Sequence, residues 1–294
     1  MTRILQADRL NSERNLVGES PVWRNGAYWW VDIVSKRFKR LDQSGQLSQW
    51  ELPEQIGCAA PVADGDWFLA METCIERFHP DLGLKGSVVH LGKPVGQYRF
   101  NDGKADPQGR FFVGTMSLSA PPMTAAFYRL DPPGRLVELL SGIGTSNGLA
   151  WSADSRTLYY IDSKTGRIDQ LDYHPETAAV SNRRPLIEKA PRGRPDGMCM
   201  DAEGNLWAGH WDGWAVRCYH GRTGACLAEI PLPCANVTSC CFAGPKLDQL
   251  LITTAARGLD EAALAEQPGA GQTFIAEPGV PGLPFPEIHW PTTS

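Results

Sequence analysis

The chain has 294 residues, with 33 acidic against 28 basic side chains and a net charge of −5 when histidine is neutral. This balance, without a cluster of lysine and arginine, provides no electrostatic footprint for nucleic acid and repels an anionic membrane, so neither partner is expected. Hydrophobic residues make up 42% and aromatic residues 9% of the chain, which excludes a disordered or fibrous protein and allows a full core.

The sequence shows no targeting segment. No apolar run approaches the roughly 18 residues of a membrane-spanning helix, and the opening Met-Thr-Arg-Ile-Leu-Gln-Ala-Asp lacks the apolar core of a secretory signal. The eight cysteines lie mostly in apolar, strand-like stretches and form no CxxC pair, which predicts free buried thiols. We therefore expect a cytoplasmic protein.

In chain order, the predicted elements repeat with a period of roughly 45 residues. Each unit consists of a strand, a turn with glycine or aspartate, a second strand and further short strands. Successive units start 39 to 49 residues apart, at Glu19, Cys58, Asn101, Asn147, Asp196 and Thr238. Because four strands in such a period are typical of propeller blades, the sequence predicts an all-β, six-bladed β-propeller that forms a single domain over residues 1–294.

The two ends of the chain carry separate expectations. Residues 3–10 are predicted to pair with the last blade near residues 272–276, because an open ring would leave exposed strand edges. Residues 260–266 form the best helical segment, with Asp260 as its N-cap. The proline-rich tail, at about residues 278–294, cannot extend a ladder and is expected to lie over the surface.

The leading residue of each unit lies where the innermost strand of a blade begins, so six such positions should meet at one mouth of the central channel. Four of them, Glu19, Asn101, Asn147 and Asp196, are two carboxylates and two amides, which are costly to bury without a partner. A divalent cation would satisfy them together, and oxygen ligands indicate Ca, Mg, Mn, Fe(II) or Zn. The alternative is that Asn-Gly and Asp-Gly here only form turns. Because four oxygen-bearing side chains share one repeat position, we favour the metal site.

Three other features have weaker functional interpretations. Arg99 lies two residues before Asn101, on the same side of an extended chain, so it could face the pocket, although a surface ion pair is nearly as plausible from sequence. Residues 144–148 match the G-x-S-x-G nucleophile elbow, but a strand pattern follows where that motif requires a helix, which argues against a serine hydrolase. His210 is of interest because it closes the strand that follows Asp196.

Seven motifs in order along residues 15–275 resemble the senescence marker protein 30 / gluconolactonase (regucalcin-like) family. They are Gly18-Glu-Ser-Pro-Val-Trp23, Arg99-Phe-Asn-Asp-Gly-Lys104 with Asp106-Pro, Gly114-Thr-Met116, Ser146-Asn-Gly148, Ser181-Asn-Arg-Arg184, Pro195-Asp-Gly-Met198 with Asp201-Ala-Glu-Gly204, and Thr238-Ser-Cys-Cys-Phe242. The resemblance implies a six-bladed propeller with one divalent metal ion that hydrolyses a sugar-acid lactone.

By the same resemblance, Glu19, Asn147 and Asp196 are metal ligands, Arg99 and Asn101 contact the substrate, and Asp196 is also the catalytic base. The small-molecule partner is then a sugar lactone, and the product is the open-chain aldonic acid. In this hypothesis the cation polarises the lactone carbonyl while Asp196 takes the proton of the attacking water.

One position departs from the family pattern. Vertebrate members carry a glutamate after Gly-Thr-Met that contacts the sugar, whereas Ser119 occupies that place here. Serine at this position leaves the choice of lactone open. A site with this serine would repel a substrate with an additional anionic group less than a site with the glutamate would. Two alternatives remain, which are a non-catalytic calcium-binding regulatory propeller and a promiscuous metal-dependent esterase or phosphotriesterase.

Overall fold

The protein is described by a computed structural model over residues 2–291. In this range, six sheets of antiparallel strands are arranged as a β-propeller, so the predicted fold class is confirmed. The first three blades are β3–β6 (Gly18–Arg24, Ala27–Asp32, Arg37–Asp42, Leu47–Glu51), β7–β10 (Ile56–Pro61, Trp67–Met71, Cys74–His79, Gly83–His90) and β11–β14 (Tyr98–Ala105, Phe111–Ser117, Ala125–Asp131, Arg135–Ile143). The fourth and fifth are β15–β18 (Ser146–Trp151, Thr157–Asp162, Arg167–His174, Ala179–Ile187) and β19–β22 (Arg194–Met200, Asn205–Trp211, Ala215–His220, Cys226–Pro231). The sixth combines β23–β25 (Val237–Ala243, Gln249–Thr254, Phe274–Ala276) with β2 (Ala7–Arg9).

Burial decreases outward along each blade. The innermost strands are almost entirely buried, whereas outer strands such as β10 and β14 are mostly half-buried or exposed. Large aromatic side chains fill the space between neighbouring blades, as Trp29, Phe38 and Trp67 do between the first and second. Burial of such side chains stabilises the packing of one blade against the next.

A bulge interrupts the register of all six innermost strands near their first residues. The register shifts lie between Glu19 and Val22, Ile56 and Cys58, Phe100 and Gly103, Asn147 and Leu149, Pro195 and Met198, and Val237 and Ser239. A bulge bends the strand and re-aims a side chain, and it occurs here at the repeat positions that the sequence singled out. The six bulges therefore change the direction of side chains at the start of each innermost strand.

The N-terminal residues close the ring as predicted. Strand β2 pairs antiparallel with β25, with Ala7 opposite Ala276. The preceding β1 (Arg3–Ile4) instead lies parallel to β22 in the fifth blade, which the sequence analysis did not anticipate. The predicted helix is confirmed as α1 (Glu261–Glu266), with the Asp260 side chain accepting a hydrogen bond from the amide of Ala263.

The C-terminal tail runs over the propeller face opposite the starts of the innermost strands. It forms two isolated bridges near the C-terminal ends of those strands, between Gly282 and Asp201 and between Ile288 and Val62. The predicted tail includes residues 292–294, which lie outside the described residues. All eight cysteines are free and seven of them are buried, which confirms that prediction. No helix in residues 2–291 is both long and apolar enough to cross a membrane.

Gly57 marks the closest approach between two innermost strands. A Cβ at this position would lie 2.3 Å from the carbonyl oxygen of Asn101 and 2.4 Å from that of Phe100, both of which are backbone atoms. We expect Gly57→Ala to lower the free energy of unfolding by about 3 kcal/mol or more, because the strands would have to separate.

Denaturant unfolding followed by tryptophan fluorescence measures this effect. In the comparison variant Gly45→Ala a Cβ would meet nothing within 4 Å, so only its positive φ is strained. That strain is expected to lower the free energy of unfolding by about 1–2 kcal/mol. Equal losses in the two variants would contradict the proposed steric cause.

Candidate metal and substrate site

Five of the six repeat positions line one cavity of about 220 Å³ at the starts of the innermost strands. They are Glu19, Asn101, Asn147, Asp196 and Thr238, and Arg99 lines the same cavity. The residues come from five different blades, which only the closed ring brings together. The volume is below the roughly 300–1,000 Å³ of pockets for drug-sized ligands, so it suits a small molecule.

The sixth repeat position and the predicted Ser119 contact lie elsewhere. Cys58 is fully buried behind the cavity wall and is not a lining residue. Ser119 is exposed, and its hydroxyl donates a hydrogen bond to the carbonyl of Gly96 at 2.8 Å. It does not line the cavity, although Met116 near the start of the same loop does.

His210 and Ser146 are hydrogen-bonded inside the fold and do not line the cavity. The imidazole of His210 is fully buried, within hydrogen-bond distance of the Tyr219 hydroxyl and the Arg192 carbonyl. Burial lowers the pKa of His210 to about 3, so it stays neutral. Ser146 begins strand β15, and its hydroxyl accepts a hydrogen bond from Tyr160 at 2.9 Å. It therefore does not lie on the strand-to-helix turn that a nucleophile elbow requires.

A chain of hydrogen bonds orients the two amides. Arg99 Nη1 donates to Asn101 Oδ1 at 2.7 Å, and Asn101 Nδ2 donates to Asn147 Oδ1 at 2.9 Å. Asn147 Nδ2 then donates to Ser163 Oγ at 2.8 Å. Because an amide oxygen has two lone pairs, Asn147 Oδ1 keeps one for a further ligand. These bonds fix which end of each amide is the oxygen.

Glu19 and Asp196 are buried carboxylates without an ion-pair partner. They are 6% and 7% exposed, and no basic side chain of residues 2–291 lies within 4.0 Å of either carboxylate. Glu19 accepts one hydrogen bond, from the amide of Ser20 at 2.5 Å, and Asp196 accepts none from the described residues. Uncompensated buried charges are costly, so such a pair is stabilised either by protonation or by a positive partner.

The electrostatics of the pair support the same conclusion. Burial raises the pKa of Glu19 well above its usual value, and the carboxylates of Asp196 and Asp102 raise it further. Burial and Asp102 likewise raise the pKa of Asp196, although Arg194 and Arg99 act in the opposite direction. Like charges held together in a low dielectric are the arrangement that a bound cation relieves.

The donor set fits a hard or borderline divalent cation. Within residues 2–291 no three His, Cys, Asp or Glu side chains cluster in a way that could hold a metal. The available ligands are instead two carboxylates, Glu19 and Asp196, and the amide oxygen of Asn147, all lining one cavity. Oxygen donors of this type suit Ca, Mg, Mn, Fe(II) or Zn.

Arg99 provides an unused donor in the cavity. The side chain is 6% exposed, and its buried Nε has no hydrogen-bond partner. Burial lowers the pKa of Arg99 to about 10, so the guanidinium remains charged at neutral pH. A buried donor without a partner indicates a missing acceptor, such as a hydroxyl or carboxylate of a ligand.

The sequence analysis missed three basic residues that line the same cavity, which are Lys164, Arg194 and Arg257. Arg194 precedes Asp196 by two residues in one strand, the spacing that singled out Arg99 before Asn101, so this signal was available. Lys164 and Arg257 lie outside the strands, on the β16–β17 turn and on the chain between β24 and α1. No repeat pattern marks these two positions.

Comparison with known proteins assigns the chain to a family. The model of the "SMP-30/Gluconolactonase/LRE-like region" matches residues 17–256. The chain belongs to this family. Regucalcin of Danio rerio is 40% identical over 283 residues, which cover 92% of this chain and 94% of that protein. The resemblance inferred from the seven sequence motifs is therefore confirmed.

Solved structures of SMP-30/gluconolactonase/LRE-like character share the fold. A luciferin-regenerating enzyme superimposes with a TM-score of 0.90 at 29% identity, covering 97% of this chain and 99% of that one. A regucalcin from Agrobacterium tumefaciens, described as a calcium-binding protein, gives a TM-score of 0.92 at 25% identity, covering 99% and 100%. The similarity thus extends over the whole propeller.

Proposed function

We propose that this chain is a divalent-metal-dependent lactonase that hydrolyses a sugar-acid lactone, an aldonolactone, to the open-chain aldonic acid. The observation that carries the proposal is the pair of buried carboxylates, Glu19 and Asp196, which have no ion-pair partner within 4.0 Å among the described residues and lie beside an oriented amide and a buried arginine with a free donor. Membership in a family named after gluconolactonase supports the reaction class.

Glu19, Asn147 and Asp196 would hold the cation. When bound, a divalent cation supplies Lewis-acid polarisation of a carbonyl oxygen. Ser163 supports this ligand set, because its hydroxyl accepts from Asn147 Nδ2 and donates to the Pro195 carbonyl next to Asp196. Such supporting hydrogen bonds keep ligands in place before the ion arrives.

Two other side chains position the sugar. Arg99 Nε is free to donate to a substrate oxygen, and Asn101 is held next to it by the bond from Arg99 Nη1. A lactone bound by these groups keeps a fixed orientation over the carboxylates, which converts the attack of water into an oriented step. Because the cavity is small, the ring cannot turn freely within it.

Asp196 is the group best suited to take the proton of the attacking water. Its carboxylate accepts no hydrogen bond from the described residues, so its lone pairs are available to a water molecule. Its proton affinity in the absence of metal is enhanced by burial and by Asp102, which raise its pKa. A base must combine hydrogen-bond reach with a suitable pKa, and a cation would bring that pKa down toward the working range.

The test is acid release from D-glucono-1,5-lactone by the full chain. The protein is stripped with a chelator and reloaded separately with Ca, Mg, Mn, Zn or Fe(II), and the rate is compared with the uncatalysed rate. We expect no turnover without metal and turnover well above background with at least one ion. Absence of turnover with every ion on five- and six-membered aldonolactone rings would reject the proposal.

The same experiment addresses the alternative of a calcium-binding propeller without catalysis, which the description of the Agrobacterium relative favours. That alternative predicts calcium binding in a titration without acid release from any lactone. Two carboxylates are few for tight calcium binding, which is why the catalytic proposal is preferred.

A further inference from the structure

The cavity has a charge balance opposite to that of the chain. The whole sequence has more acidic than basic side chains, 33 against 28. The cavity lining has four basic side chains, which are Arg99, Lys164, Arg194 and Arg257, and two acidic ones, Glu19 and Asp196. A cavity whose walls carry one sign of charge concentrates ligands of the opposite sign.

The excess of positive charge lies at the mouth. Arg99 is buried at the bottom of the cavity, whereas Lys164, Arg194 and Arg257 are exposed. These three, which we call the rim bases, come from three consecutive blades or their connections, the fourth, fifth and sixth. A divalent cation on Glu19 and Asp196 would neutralise the two acids of the lining, so that the four bases would dominate its charge. Asp102, whose charge also reaches this pair, does not line the cavity.

Ion pairs and side-chain hydrogen bonds do not account for the rim bases, although the charge of Arg194 also lowers the pKa of Asp196. None of them makes a salt bridge or a side-chain hydrogen bond with the described residues. Exposed arginines on the outer strands do pair with acids, as Arg37 does with Glu51 and Arg135 with Asp131. Arg257 also lies close enough to Arg99 for its charge to lower the pKa of Arg99, after the larger effect of burial. Like charges gathered without partners oppose folding, which indicates a ligand-binding role.

The loop in which the family resemblance places an acidic sugar contact does not balance the charge of the rim bases. Ser119 stands where the family resemblance places a glutamate, and it lies outside the cavity with its hydroxyl bound to Gly96. No acid of the described residues therefore faces the rim bases from this loop. Met123 on the same loop instead lies next to Gly144, close to Lys164.

We infer that the lactone substrate carries a second anionic group, a carboxylate or a phosphate, at the end of the sugar remote from the lactone carbonyl, and that Lys164, Arg194 and Arg257 bind it. This inference rests on the proposed lactonase function and narrows its substrate class. The carbonyl end lies over Glu19, Asn147 and Asp196, and the anionic end points to the mouth. Arginine pairs with carboxylate or phosphate through two parallel hydrogen bonds, which gives orientation as well as attraction.

Three probes of similar ring chemistry test the inference on the metal-loaded full chain. They are neutral D-glucono-1,5-lactone, D-glucaro-1,5-lactone with a terminal carboxylate, and 6-phospho-D-glucono-1,5-lactone with a terminal phosphate. We expect kcat/KM to be about 10-fold to 100-fold higher for one of the anionic lactones, a preference typical of charge-assisted hydrogen bonds in a partly enclosed site. The two anionic arms distinguish carboxylate from phosphate as the recognised group.

The variant Lys164→Gln/Arg257→Gln removes two rim bases and no proposed metal ligand. It should lose about 10-fold or more in kcat/KM for the preferred anionic lactone, mainly through KM, and less than about 2-fold for the neutral lactone. The matched control Arg222→Gln/Lys246→Gln removes the same charge from two exposed side chains outside the cavity and should change neither rate.

Two readouts do not depend on turnover. Calorimetry should show that glucarate binds the metal-loaded wild-type chain at least several-fold more tightly than gluconate, and that the rim variant loses this difference. Raising NaCl from 50 to 500 mM should raise KM for the anionic lactone and leave KM for the neutral one unchanged, because salt screens charges at an open mouth.

The outcomes separate the two proposals. If no lactone is hydrolysed with any ion, the proposed function fails, and the substrate inference with it. If the neutral lactone is hydrolysed as well as both anionic ones, or if the rim variant and its control behave alike, the inference is wrong while the lactonase proposal stands.

Discussion

Asp196→Asn is expected to lower kcat for lactone hydrolysis by about 10²–10⁴-fold even at saturating metal, the range for loss of a general base. Asparagine keeps the size of the side chain and one oxygen ligand, so the cavity should retain its shape. What is lost is the negative charge and the ability to take a proton. Initial rates of acid release across a metal titration measure both effects.

Glu19→Gln is the matched comparison, because it removes the other buried carboxylate of the same cavity. Glu19 is proposed to bind the metal and not to take the proton. Its variant should therefore need more metal for half-maximal activity, by about 10-fold or more as for loss of one charged ligand, but should recover a larger share of kcat at saturation. The two variants thus separate metal binding from proton transfer.

Wild-type kcat in Asp196→Asn at saturating metal would contradict the assignment of Asp196 as the base. Equal recovery of both variants by excess metal would show instead that the two carboxylates only hold the ion. Calorimetric titration of each variant with the activating metal establishes that saturation has been reached. Far-UV circular dichroism checks that both variants keep the β-structure of the wild type.

The blades and the convergence of five repeat-position residues on one cavity could be predicted because they depend on a repeated backbone feature. Each innermost strand bulges near its start, and the polar residue at that point repeats along the sequence. The pairing of the N-terminal residues with β25 could also be predicted, because an open ring would leave exposed strand edges. At these places the local sequence pattern and the closure of the ring specify the same structure.

Predictions based on one residue at a time were less reliable. Cys58 holds a repeat position, yet its neighbour Gly57 lies against the backbone of the third blade, and the Cys58 side chain is buried behind the cavity wall. Ser119 was assigned from the resemblance to a family motif, but the loop that carries it is fixed by its own hydrogen bonds to Gly96 and Gln97. Strand β1 is a two-residue exposed segment, so no burial pattern specifies its partner.

The rim bases as a group could not be predicted from the sequence either. Lys164 and Arg257 are far apart in sequence and reach one mouth only because the ring closes. Neither belongs to a strand, and both are exposed, so no periodicity distinguishes them from other surface bases. Charge at the mouth of a propeller is a property of the assembled ring, and the proposed substrate selectivity depends on it.

The contribution of Glu19 and Asp196 to the stability of the metal-free protein is expected to fall as pH rises above about 4, which is opposite in sign to the contribution of carboxylates whose pKa is lowered on folding. Burial raises the pKa of both groups in the folded state, the charge of Asp102 raises both further, and the charge of Asp196 also raises that of Glu19. The folded protein therefore holds protons that the unfolded chain has already released. Their contribution to stability is complete below the unfolded pKa and is lost as pH passes through the folded pKa values.

Metal binding should have the opposite pH dependence and stabilise the protein more as pH rises, because the cation requires both carboxylates to be ionised. The difference in Tm between metal-loaded and chelator-treated protein should grow from pH 5 to pH 8. In Glu19→Gln/Asp196→Asn, the metal-dependent shift should disappear. At pH 8 the metal-free variant should be more stable than the metal-free wild type, because it no longer has to ionise two carboxyl groups whose pKa is raised in the folded state.

Thermal and denaturant unfolding of both proteins at several pH values, with and without metal, measure these differences. Subtracting wild type from variant removes the contribution of the other titrating groups, because these are shared. The control Asp81→Asn removes an exposed carboxylate and should follow the wild type at every pH. A metal-free double variant that is less stable than the wild type at pH 8 would show that the buried carboxylates do not repel one another, and the physical argument for a cation between them would fail.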